Sequence, residues 1–119
     1  MFQLLLLTLL STYNSTSDKR LLLIFADKAG NSALKEQAQF LKTDAKGLKE
    51  RDVEILTYYG DRDIKMFQNK KIRSAFTVIL VGKDGSDKMR ATNPVTLKTL
   101  FTTIDEMPMR QVEMARVEK

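Results

Sequence analysis

The sequence predicts one α/β domain built around a single mixed sheet. Short runs rich in apolar, β-branched and aromatic residues at Leu21–Ala26, Val53–Tyr59 and Phe76–Val81 have the length and composition of strands. Between the first two lies a stripe at helical spacing, and after the third comes a turn signature, Lys83-Asp84-Gly85-Ser86, suited to a hairpin. At 119 residues the chain has material for one core, and 43% hydrophobic with 29% charged residues is a globular balance.

Taken in order, Leu21–Ala26 reads as a strand covered on both faces. Asn31 or Ser32 can cap the helix that follows, in which Leu34, Ala38, Leu41, Ala45 and Leu48 form one apolar stripe. Val53–Tyr59 is rich in β-branched and aromatic residues and stops at Gly60; a strand, helix, strand unit of this length implies parallel pairing through a right-handed crossover. Asp61–Ile72 is polar with Ile64, Met66 and Phe67 interspersed, which fits one short helix with loops. Phe76–Val81 and a strand around Asp87–Arg90 form an antiparallel edge pair. Thr96 caps a helix whose Leu97, Leu100, Phe101, Ile104 and Met107 share a face, stopped by Pro108. The charged tail Met109–Lys119 extends as a loose helix. The order β-α-β-α-β-β-α, with helices on both faces of a mixed sheet that has one antiparallel edge hairpin, is the minimal thioredoxin-like arrangement.

Residues 1–17 stand apart from this single domain at 18–119. Leu4–Leu10 (LLLLTLL) is far short of the roughly 20 apolar residues that span a bilayer but matches a signal-peptide core, and Ser15 and Ser17 suit cleavage before Asp18. No Lys or Arg precedes the run, so an extra strand or helix packed on the domain is the competing expectation. Export places the protein in a secreted or periplasmic compartment; retention of residues 1–17 places it in the cytoplasm.

With neither cysteine nor histidine, disulfides, thiolate metal sites, cysteine nucleophiles and the Ser-His-Asp arrangement are excluded. Residues 1–60 hold eight Lys/Arg against seven Asp/Glu and residues 61–119 twelve against eight, so most of the +5 charge lies in the second half. Lys70, Lys71 and Arg73 are the nearest approach to a basic cluster. No dense basic stripe interleaved with aromatics occurs, so nucleic acid is not an expected partner. No cofactor is expected.

Several stretches carry a family resemblance: RLLLIFAD (Arg20–Asp27), LKTDAKGLKERDVEIL (Leu41–Leu56), FTVILVGKDG (Phe76–Gly85) and IDEMPMRQVEM (Ile104–Met114). They resemble the thioredoxin-like domain of unknown function called the DUDES domain, found in coiled-coil domain-containing protein 80, in sushi-repeat-containing proteins and in small exported bacterial proteins. The resemblance implies a thioredoxin-like fold and export, and it implies no reaction. Redox members of the wider fold carry a cysteine at the start of the first helix and a cis-proline before the third strand; here those places hold Asp27 to Ser32 and Ala75 or Phe76.

Ligands of open α/β sheets bind beyond the carboxyl ends of the parallel strands. Backbone amides at the helix start, with Lys28, Asn31, Ser32, Tyr58 and Arg62, form a candidate site for a small anionic ligand. Asp27, Asp61 and Asp63 at the same edge are a candidate divalent-cation set, which would make the chain a weak metal-dependent hydrolase or phosphoryl-transfer enzyme if the three carboxyl groups converge. Asp105, Arg110 and Glu113 can pin the tail by ion pairs, with Met107, Met109 and Met114 packing against the sheet; an exposed methionine cluster would suit a partner protein, and sealing of the core is the favoured alternative. The leading expectation is a non-catalytic, exported domain that binds a protein or small ligand across an exposed apolar groove. A purely structural spacer is the bland alternative.

Overall fold

The computed structural model describes residues 18–118, so the segment expected to be an export signal or an extra element lies outside the described residues. The elements are β1 (Arg20–Ala26), α1 (Ser32–Lys42), α2 (Ala45–Glu50), β2 (Val53–Tyr59), α3 (Ile64–Asn69), β3 (Phe76–Val81), β4 (Asp87–Ala91), α4 (Leu97–Asp105) and α5 (Pro108–Glu118).

The sheet order is β2-β1-β3-β4. β1 and β2 are parallel in register from Arg20 opposite Val53 to Ala26 opposite Tyr59. β3 runs antiparallel to both β1 and β4, so antiparallel pairing extends inward from the edge hairpin that the sequence predicts. The physical reason is the β2–β3 connection. Its one helix, α3, spans about 9 Å against about 23 Å for a seven-residue strand, and β3 starts at the end where β2 finishes, with the Asp27 amide donating to the Ala75 carbonyl there at 2.9 Å.

Strand alternation divides the core in two. Leu22, Ile24 and Ala26 face Leu41 of α1, Leu48 of α2 and Leu97, Leu100 and Ile104 of α4. Leu23, Phe25, Ile79 and Val81 face the other way, toward Met66 and Phe67 of α3 and Ile72 behind it. Helices therefore cover both faces, three elements on one and a single short one on the other.

The expected long first helix is broken into two. Asp44 accepts a hydrogen bond from the Gly47 amide at 2.9 Å and so caps a new helix. A β-carbon at Gly47 would lie 2.8 Å from the Phe101 ring, so glycine lets α2 press onto α4. The break also reassigns the stripe: Ala38 and Ala45 are exposed, and Gln37 is buried in their stead. Its carboxamide takes a hydrogen bond from the Val95 amide at 2.8 Å and donates to the Val95 carbonyl at 2.9 Å, pairing both backbone groups as a strand would. Pro108, expected only to stop α4, also opens α5 as its first residue, where a missing N–H costs nothing.

Candidate functional site

Two ends of the sheet concentrate polar side chains. At the carboxyl ends of β1 and β2, the Asp27 amide donates to the Ala75 carbonyl and the Gly60 amide to that of Ala26, both at 2.9 Å. Asn31 sits between them. Its side-chain oxygen caps α1 by accepting from the Leu34 amide at 3.1 Å, while its amide nitrogen donates to the Asp27 carboxylate at 2.9 Å and to the Ala75 carbonyl at 3.1 Å. The hydrogen bond from Asn31 is the main reason that the Asp27 carboxyl titrates below its ordinary value. An anionic side chain thus already occupies the mouth of α1, the place proposed from sequence for an external anion. Lys28 and Ser32 are exposed beside it.

The other sequence candidates divide between two places. Asp63 accepts from the Tyr59 amide at 2.9 Å and from Arg62 at 3.0 Å, and the Arg62 hydrogen bond draws its carboxyl down. The Arg62 guanidinium lies 4.9 Å from the centre of the Tyr59 ring. Tyr58 points to the opposite face, stacked on Phe25 at 5.2 Å beneath α3, so it does not join Lys28, Asn31 and Ser32. Among the described residues no three acidic side chains come together as a metal-binding group, and Asp27, Asp61 and Asp63 do not converge. Asp27 and Asp63 instead serve the chain's own hydrogen-bond donors.

At the other end, where β1 and β2 begin, the charges form a network. Arg20 is fully buried, and its guanidinium donates to both carboxylate oxygens of Glu113 at 3.2 Å and to the Arg51 carbonyl at 2.8 Å. Lys83 reaches Glu113 at 2.7 Å and Asp52 at 2.8 Å. Arg51 grips Asp105 through two bonds of 2.9 and 3.0 Å and lies 3.9 Å from the centre of the Phe101 ring; Arg110 also bonds Asp105 at 3.1 Å. Burial works to raise the Glu113 pKa, but the hydrogen bonds from Lys83 and Arg20 outweigh it and hold the carboxyl low. The Arg51 hydrogen bond likewise lowers Asp105. Asp105, Arg110 and Glu113 thus stand in one network with α5. Sequence reasoning missed their partners Arg20, Arg51, Asp52 and Lys83. The available signal was parity: Arg20 falls on the same strand face as Leu22 and Ile24, and a cation there requires a carboxylate.

Each end of the sheet also carries a surface depression. A cleft of about 700 Å³ runs along α5, with exposed Met109 and Val112 facing Lys19, Asp52, Lys83 and Glu113. A groove of about 350 Å³ lies beside α3, bounded by Gly60, Ile64, Phe67, Lys71, Ile72 and Arg73.

Comparison with known proteins bears on the fold and the family. Residues 11–113 match the family described as a domain of unknown function, DUF4174. The chain belongs to this family. It is 29% identical over 116 residues to the sushi repeat-containing protein SRPX2 of Rattus norvegicus and 28% identical to that of Homo sapiens, covering 82% of this chain in each case. The chain spans only about a quarter of the length of these relatives. The resemblance to sushi-repeat-containing proteins read from the sequence is borne out. Among solved structures, chloroplastic thioredoxin z superposes with a TM-score of 0.65 at 14% identity, covering 83% of this chain and 87% of the other. Thioredoxin-2 of the malaria parasite, described as a component of its protein secretion machinery, gives 0.61 at 18% identity over 75% of this chain and 84% of its own. At such identities these likenesses establish the thioredoxin-like fold alone.

Proposed function

We propose that this thioredoxin-like domain is an exported, non-catalytic module that binds a protein or a small ligand. The observation that carries this reading is the employment of the polar groups at the carboxyl ends of β1 and β2. Asn31, Asp27, Asp63 and Arg62 are each engaged by the chain's own backbone or by one another, so that none of these four stands poised toward a substrate as base, nucleophile or ligand. Apolar side chains stand exposed elsewhere, as a binding surface requires: Ile64 at 58%, Val112 at 50% and Met109 at 47%. Export is supported by the Leu4–Leu10 run and by the resemblance to exported bacterial proteins.

The test has two parts. Intact mass of the protein from its native host, with fractionation, is expected to show a chain starting near Asp18 outside the cytoplasm; a full-length chain in the cytoplasm overturns export. Isothermal titration with Mg²⁺ and Ca²⁺ is expected to give no saturable heat. Saturable binding together with phosphoester hydrolysis, both lost in Asp63→Asn, overturns the non-catalytic reading.

A further inference from the structure

Resting on the binding reading above, we infer that the groove beside α3 docks an extended acidic peptide segment of a partner protein, anchored by an apolar side chain. Three features single out this groove. Its floor and lip are apolar, with Phe67 and Ile72 half-buried and Ile64 exposed. Its charged lining is cationic only, from Lys71 and Arg73, and neither makes an ion pair among the described residues. Nearby charge points the same way: the segment from Asp61 to Arg73 holds five Lys/Arg against two Asp, and Asp63 is already paired with Arg62.

The local fold fixes this arrangement. α3 ends in a double closure, the Lys71 amide donating to the Gln68 carbonyl at 3.1 Å and the Ile72 amide to that of Phe67 at 2.9 Å. This closure places one residue in the left-handed region, a position that glycine adopts without steric strain. Here it is Lys71, at φ 55°. The Arg90 guanidinium holds the turn by donating to the Lys70 and Lys71 carbonyls at 2.9 Å and adds a further positive charge beneath it. A long cation thus stands at a strained backbone position beside an apolar floor. The larger cleft along α5 is lined by charges of both signs: Lys19, Asp52, Lys83 and Glu113 pair with one another, and its other two charged residues, Asp18 and Arg116, are of opposite sign. The apolar floor distinguishes the expected occupant from a bare polyanion, since a sulfated polysaccharide has nothing to place against Phe67 and Ile72.

The experiment is a nitrogen-15 amide titration of the full chain with a synthetic dodecapeptide of Glu and Asp carrying two Leu in a Gly/Ser frame. A matched peptide with Lys replacing the acids and a sulfated heparin oligosaccharide serve as comparisons. The acidic peptide is expected to perturb amides from Gly60 to Arg73, with affinity reduced about tenfold or more by Lys71→Glu with Arg73→Glu. Ile64→Ser, a change at an exposed position, is expected to weaken it severalfold and to leave the unbound spectrum dispersed. Failure to perturb these amides at millimolar peptide, or equal response to the Lys peptide, overturns the inference. Binding by the oligosaccharide that is indifferent to Ile64→Ser, with no response to the acidic peptide, assigns the groove to a polyanion and overturns it too. Perturbations confined to α5 and β1 reject this groove and leave the binding reading standing, whereas saturable Mg²⁺ binding together with phosphoester hydrolysis rejects that reading itself.

Discussion

The two ends of the sheet hold similar side chains and use them differently. Where β1 and β2 begin, carboxylates and cations meet one another: Arg20, Lys83, Glu113 and Asp52 interlock, and Arg51, Asp105 and Arg110 form a second knot. Where the strands finish, the carboxylates of Asp27 and Asp63 meet an amide side chain, a backbone N–H and an exposed arginine. The difference is burial. A guanidinium such as that of Arg20, taken wholly out of water, is tolerable only with a carboxylate beside it, whereas groups at the other end retain solvent and need little from each other. The first end staples α5 to the sheet, and the second shapes loops.

Removing one side of the buried pair should break the comparison hardest. Glu113→Ala leaves Arg20 buried without its partner and is expected to lower unfolding stability by about 3 kcal/mol, read from urea denaturation. Arg20→Met combined with Glu113→Leu should recover a good part of that, because apolar groups of similar volume carry no desolvation penalty. A Glu113→Ala loss below about 1 kcal/mol would mean that the network is ornamental.

Gln37→Leu tests the other buried polar contact. It keeps the volume but strips the Val95 N–H and carbonyl of their partners, and a loss of about 2 kcal/mol is expected, with faster amide exchange at Val95. At the exposed end, Asn31→Ala removes the cap of α1 and the link to Ala75 and is expected to cost about 1 kcal/mol by the same denaturation assay.

Acid should act on the stapled end in graded fashion. Glu113 and Asp105 titrate in the folded chain below their ordinary values of 4.5 and 3.8, so the unfolded chain takes up protons first. Their contribution is complete above the ordinary carboxylate range and is lost as pH falls through it toward the folded values. Urea midpoints measured from pH 7 downward should decline, and Glu113→Gln should flatten that decline. Arg62→Ala, at the exposed end, is expected to leave the urea midpoint unchanged, since an exposed neighbouring pair contributes little.

Much of this architecture was legible in residue pattern. The four strands and the helix at Leu97 follow from apolar spacing and the Thr96 cap, the short helix at Ile64 from its interspersed apolar residues alone, and the GKDG turn sits between β3 and β4 as its chemistry demands. The break between α1 and α2 was not, because apolar spacing runs through it. What decides it is Asp44 capping Gly47 and the close approach of Phe101. The candidate site fared unevenly for a similar reason. Asp27, Asn31 and Ser32 are neighbours in sequence and lie together, whereas placing Tyr58 with them overlooked that alternate strand residues face opposite ways.

By itself, the sequence determined the chemistry open to this protein and the elements it forms. Absent cysteine and histidine remove whole reaction classes whatever the fold, and hydrophobic periodicity is a local property that one chain segment carries alone. Only the tertiary structure decided that Arg20 and Glu113, 93 residues apart, share a buried pair, and that β3 returns antiparallel beside β1. Such pairings depend on which distant segments are brought together and how much water is left between them, and no local pattern encodes either quantity.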